Sequence, residues 1–78
     1  MRTPFAELVV QELSVSLGPH TARTALKTFA QRAVGKAPEE LTADDAGPLV
    51  EALRPMLRTL IGADQTEVVL QHILDAAG

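Results

Sequence analysis

The chain has 78 residues, no cysteine and a formal net charge of -3. That length makes one domain near the lower limit for an unassisted hydrophobic core, and the missing cysteines exclude disulfides and thiolate metal sites as supplements. Hydrophobic residues make up 46% of the chain and aromatics only 3%, so Ala, Val, Leu and Ile must build the core around Phe5 and Phe29, while the acidity argues against whole-molecule attraction to nucleic acid or anionic membrane.

Thr3 is placed as an N-cap with Pro4 at the first helical position, a favoured pair. Phe5, Leu8, Val9, Leu13 and Leu17 follow at helical spacing, with Glu7, Gln11 and Glu12 on much of the other side. Val10 and Val15 widen the apolar arc beyond the stripe that one core can use. They are read as a self-association surface, with a homodimer about a two-fold axis as the commonest outcome. Gly18-Pro19 ends this helix and starts the next, so the link is one or two residues long. The second helix, 19–34, turns Ala22, Ala25, Leu26, Phe29, Ala30 and Ala33 inward and Arg23, Lys27, Thr28, Gln31 and Arg32 outward. Gly35 is its natural stop.

Residues 36–44 form a polar connection with one turn after Pro38 and with Leu41 as an apolar tether. Thr42 and Asp45 have capping-box spacing, so the third helix opens at either residue. Leu49, Leu53, Met56, Leu57 and Leu60 give it one apolar face. Pro48 fits the first turn, whereas Pro55 falls in the interior, removes a backbone bond, frees the Glu51 carbonyl and predicts a kink. Gly62 ends the helix. Asp64 and Glu67 are read as a second box opening a fourth helix that buries Val69, Leu70, Ile73, Leu74 and Ala77, with Val68 flanking. No strand alternation and no internal repeat is visible. The expectation is a single helical domain over 1–78: all-α, a compact bundle of four helices with a proline-kinked third helix. No apolar run approaches the ~18 residues of a membrane span, and no leader pattern opens the chain, so a cytoplasmic, soluble protein without membrane partners is expected.

His20 and His72 lack the spacing that puts two ligands on one helix face. Ser14 and Ser16 have no adjacent histidine, and the glycines stand singly at helix ends instead of forming a phosphate loop. No catalytic, cofactor-binding or metal residues are assigned, and the chain is read as not an enzyme. The charges are segregated. From Pro19 to Lys36 the charged residues are Arg23, Lys27, Arg32 and Lys36, and from Ala37 to Leu53 they are Glu39, Glu40, Asp44, Asp45 and Glu51. His20, Arg23 and Lys27 are assigned as a partner-binding basic face for an acidic protein, set against the plain alternative that the acidic link folds over it.

Leu17-Gly18, the run from Gly35 to Thr42 and Leu60-Ile61-Gly62 resemble small helical segments of bacterial and archaeal regulatory proteins, over about 50 residues. The resemblance implies a signalling or scaffolding role. The functional expectation is a non-enzymatic protein-protein interaction module, regulatory or adaptor in character, acting through helix-mediated association. The alternative is a small DNA-binding protein using helix 19–34 as recognition helix. Net acidity and the absence of Asn or a second Arg beside Arg23 weigh against nucleic acid.

Overall fold

The computed structural model describes residues 4–77. The elements are α1 (Pro4–Leu17), α2 (Pro19–Val34), two 3-10 turns at Pro38–Glu40 and Ala43–Asp45, α3 (Ala46–Ile61) and α4 (Ala63–Ala77). Among the described residues the fold is all-α with four helices, as the spacing of apolar residues predicts. Pro4 opens α1; Thr3, its expected cap, lies outside the described residues. α1 packs mainly on α2 and α3 mainly on α4, with lesser contacts of α2 on α3 and α1 on α4. The helices therefore form a ring in chain order, and α2 lies diagonally across from α4. Leu13, Leu26, Leu41, Leu49, Leu53, Leu57, Leu70 and Ile73 fill the centre. Among the described residues no helix is long and apolar enough to cross a membrane.

Each helical hairpin turns on one glycine. Gly18 and Gly62 have φ 85° with ψ 155° and 163°, a region essentially reserved for glycine. At both corners the glycine N–H donates to the carbonyl four residues earlier, Ser14 or Arg58, and its carbonyl accepts the amide four residues later, Ala22 or Thr66. One residue thus closes one helix and opens the next, which satisfies backbone groups that helix ends otherwise leave unpaired.

The two hairpins repeat each other, contrary to the absence of repeats expected from the sequence. Aligning Gly18 with Gly62 superimposes Pro4 on Pro48, Glu7 on Glu51, Leu13 on Leu57 and Leu26 on Leu70. Buried Phe5, Ala6, Val9 and Leu13 fall on buried Leu49, Val50, Leu53 and Leu57, and buried Ala22 falls on buried Thr66. The exposed positions of α2 map one for one onto those of α4. The packing has the same symmetry: α1 on α2 matches α3 on α4, and α2 on α3 matches α1 on α4. The chain is a pseudo-two-fold pair of helical hairpins. Few of the matched residues are identical, because burial at a position constrains apolar character more than residue type.

The link between the hairpins follows the predicted chemistry. Pro38 starts a 3-10 turn in which Glu40 accepts the Ala37 amide at 3.0 Å, and Leu41 is fully buried. Asp45 reaches back to the Thr42 amide at 3.0 Å. That bond closes the 3-10 turn which runs directly into α3, so Thr42 opens the turn and Ala46 the helix. Pro48 is then in the first turn of α3, where a missing amide costs little. α3 continues through Pro55, and Pro55 and Glu51 are both exposed, so water can serve the carbonyl that the proline frees. Glu67 does not cap α4, which already begins at Ala63. It pairs instead with Arg54, thirteen residues away on α3. The buried Thr66 hydroxyl donates to the Gly62 carbonyl at 2.7 Å.

Asp45 also accepts both bonds from Lys36 Nζ, at 3.0 and 3.2 Å. The Thr42 amide first, and then Lys36, hold its carboxyl below the usual range. A carboxyl with a lowered folded pKa stabilises the fold fully above its unfolded value near pH 4, and that contribution disappears as pH falls through the folded value. Asp45→Asn should therefore lower the melting temperature at pH 7, and the gap to wild type should close progressively below about pH 4. Thermal unfolding followed by circular dichroism across that range checks the sign; a gap that does not change with pH would show that the charge at Asp45 contributes nothing.

Candidate functional site

A solvent-open groove of about 930 Å3 runs along the outer side of α2. Val10 from α1 and Leu26 from α2 lie at its floor, Arg23, Lys27 and Arg32 stand along it, and Pro38 and Glu39 close one end. The helical period explains the cation row: Arg23 and Lys27 are one turn apart, and Arg32 lies a further turn and a fraction along. Among the described residues these three cations form no ion pair or side-chain hydrogen bond. Lys36, the fourth base of the run, is the one that the acidic link neutralises, through Asp45. The link therefore does not cover the basic face. Of the acids in the link, Glu39 lines the groove, beside Ala37 and Pro38.

The equivalent place in the second hairpin shows why the groove is open. Arg54 stands where the first hairpin has Val10. Its Nε and Nη2 donate to the Glu67 carboxylate at 3.0 and 3.2 Å, and its Nη1 donates to Glu51. Glu67 chiefly, and then Glu51, raise the guanidinium pKa further. The long side chain thus crosses from α3 to α4 and fills the seam. In the first hairpin Val10 is too short to cross, and the position opposite holds Arg23 instead of an acid.

Of the residues predicted for binding, Arg23 and Lys27 line the groove together. His20 is exposed at the start of α2 but is not part of the lining; its carbonyl accepts the Thr24 hydroxyl at 3.1 Å. The reading of Val10 as a surface residue is corrected. It is 6% exposed and belongs to the chain's own core. α1 is flanked by α2 on one side and α4 on the other, so its wide apolar arc is used by two neighbours. Val15 is 84% exposed. The contribution of Arg32 to the groove was missed, although its place in the basic run of α2 was a visible signal.

The outer face of α4 has the opposite charge. It carries Asp64, Glu67 and Asp75, and His72 Nδ1 lies 3.2 Å from Glu12 of α1. A shallow depression there is lined by Glu67, Val68, Gln71, His72 and Asp75. No group of three or more metal-ligating side chains comes together among the described residues. No protein-family model, no curated protein and no solved structure matches the chain.

Proposed function

We propose that this chain is a non-enzymatic protein-protein interaction module that takes an acidic polypeptide segment into the α2 groove, in keeping with a regulatory or adaptor role. The observation that carries the reading is the combination of three cations without partners among the described residues and an apolar floor. Unpaired cations beside a partly dry surface attract carboxylates and steer their approach, and the floor gives an apolar side chain of the same segment somewhere to go. Charges farther than about 8 Å are largely screened at physiological salt, so the acidic remainder of the chain does not cancel this local field.

A nucleic-acid ligand fits the groove less well. Duplex DNA presents a continuous phosphate line that extends past the three cations onto Glu39 and its exposed neighbours Glu40 and Asp44. Self-association is also part of the reading, but no longer through a Val10–Val15 surface, because Val10→Lys would disturb the chain's own core.

The test is a fluorescence-polarisation titration of a labelled Glu/Leu-rich peptide. Wild type should bind it at low salt, and Arg23→Gln with Lys27→Gln should weaken binding by roughly tenfold or more, about 1.4 kcal/mol. Absence of peptide binding up to about millimolar protein would overturn the proposal. Tighter, sequence-selective binding of duplex DNA, lost in the same variant, would put α2 in the role of a recognition helix.

A further inference from the structure

We propose that the chain also assembles head to tail, with the acidic outer face of α4 around Val68 seated in the α2 groove of the next copy. The inference rests on the groove being an acid-binding site and names its occupant. The first support is the internal symmetry. The outer faces of α2 and α4 expose equivalent positions, yet they differ in sign: α2 carries Arg23, Lys27 and Arg32, α4 carries Asp64, Glu67 and Asp75, and at one equivalent position Arg23 stands where Glu67 does. Lys27 and Arg32 have no acid in their own helix, and α4 has no Lys or Arg.

The second support is apolar. Val68 is 48% exposed and lines α4's depression together with Glu67 and Asp75. It is an exposed apolar side chain with acids beside it, and the groove has an apolar floor with Arg23, Lys27 and Arg32 along it. Placed together, Val68 lies over the groove floor while Glu67 and Asp75 meet Arg23 and Lys27. Arg54 leaves the acidic side in excess, since one guanidinium is shared by Glu51 and Glu67, and Glu12 adds a further carboxylate beside His72.

The geometry dictates the type of assembly. α2 and α4 are diagonal in the ring, so the two faces look away from each other. One copy cannot offer both to the same partner, and a closed two-fold pair is excluded for this contact. Each copy receives at one side and inserts at the other, which is a heterologous, open-ended arrangement.

Sedimentation velocity on the full chain, from about 10 µM to about 1 mM protein, tests this. Wild type at low salt should show a sedimentation coefficient that rises with concentration past that of a dimer, and the rise should be suppressed when salt shortens the Debye length to about 3 Å. Arg23→Gln with Lys27→Gln blocks the groove, and Val68→Lys blocks the insert at an exposed position that leaves the core untouched. Each variant alone should be monomeric. Their equimolar mixture should form a 1:1 dimer and nothing larger, because one intact groove meets one intact insert. A wild type that stays monomeric throughout, a variant that still self-associates, or a mixture that stays monomeric overturns the assembly. If wild type is monomeric yet binds the acidic peptide, the groove reading stands and only the occupant is wrong; if it does neither, both fall.

Discussion

Leu57→Ala is expected to lower the stability of the fold by about 3 kcal/mol, within the range of about 2–5 kcal/mol for emptying a closed Leu site, and Leu13→Ala by a similar amount. Both side chains are completely buried and occupy equivalent positions, five residues before Gly62 and Gly18 respectively. The core has only two aromatic rings, Phe5 and Phe29, so its leucines supply most of the apolar volume. A domain of this size is held by roughly 5–10 kcal/mol, which makes one such loss a large fraction of the whole. The melting temperature should fall by about 4–8 °C for each kcal/mol. Urea unfolding followed at the helical dichroism band should show lower midpoints at unchanged slope. Val15→Ala, at an exposed site of the same helix, should stay within about 0.5 kcal/mol of wild type. Equal losses at Leu13 and Leu57 are required if the two hairpins share the core equally; a neutral Leu13→Ala would contradict that symmetry.

The helix limits were legible because their signals are local. Gly18, Gly35 and Gly62, and the prolines at 4, 19 and 38, act through their own backbone preferences, which do not depend on what packs nearby. Helix faces were legible where the apolar stripe was narrow, as along α2. They failed at Val10, because the number of neighbours covering α1 is a property of the ring and not of its own period. Glu67 was misassigned for a related reason: a cap and a cross-helix ion pair both want an acid near a helix start, and only the position of Arg54 on α3 decides between them. The internal repeat could have been found by setting the Leu17-Gly18 and Ile61-Gly62 corners in register, since Pro4/Pro48 and Glu7/Glu51 then fall into line. That Arg23 and Lys27 lie side by side was legible from their four-residue spacing on one helix. The groove beside them was not legible, because it exists through a side chain too short to close a seam.

Gly62→Ala should destabilise the fold by about 1–3 kcal/mol through the backbone alone. Beyond its own chain neighbours nothing lies within 4 Å of where the new Cβ would stand, so crowding against the rest of the fold plays no part. The cost is conformational: φ 85° with ψ 163° is a combination that an L-residue avoids. Escape to an ordinary conformation would break the corner, since the Gly62 N–H donates to Arg58 while its carbonyl accepts both the amide and the hydroxyl of Thr66. Gly18→Ala should behave alike, at φ 85° and ψ 155°. Gly35→Ala, at φ 67° and ψ 27° in the left-handed helical region, should fall nearer the lower bound of about 1 kcal/mol. Gly47→Ala has the opposite sign: it sits in the first turn of α3 with open space around it and no positive φ, so Ala should stabilise by up to about 1 kcal/mol. Thermal unfolding of the four variants checks both the order and the change of sign. A neutral Gly62→Ala would mean that the corner relaxes without loss, in which case it does not fix the direction in which α4 presents Val68 and its carboxylates.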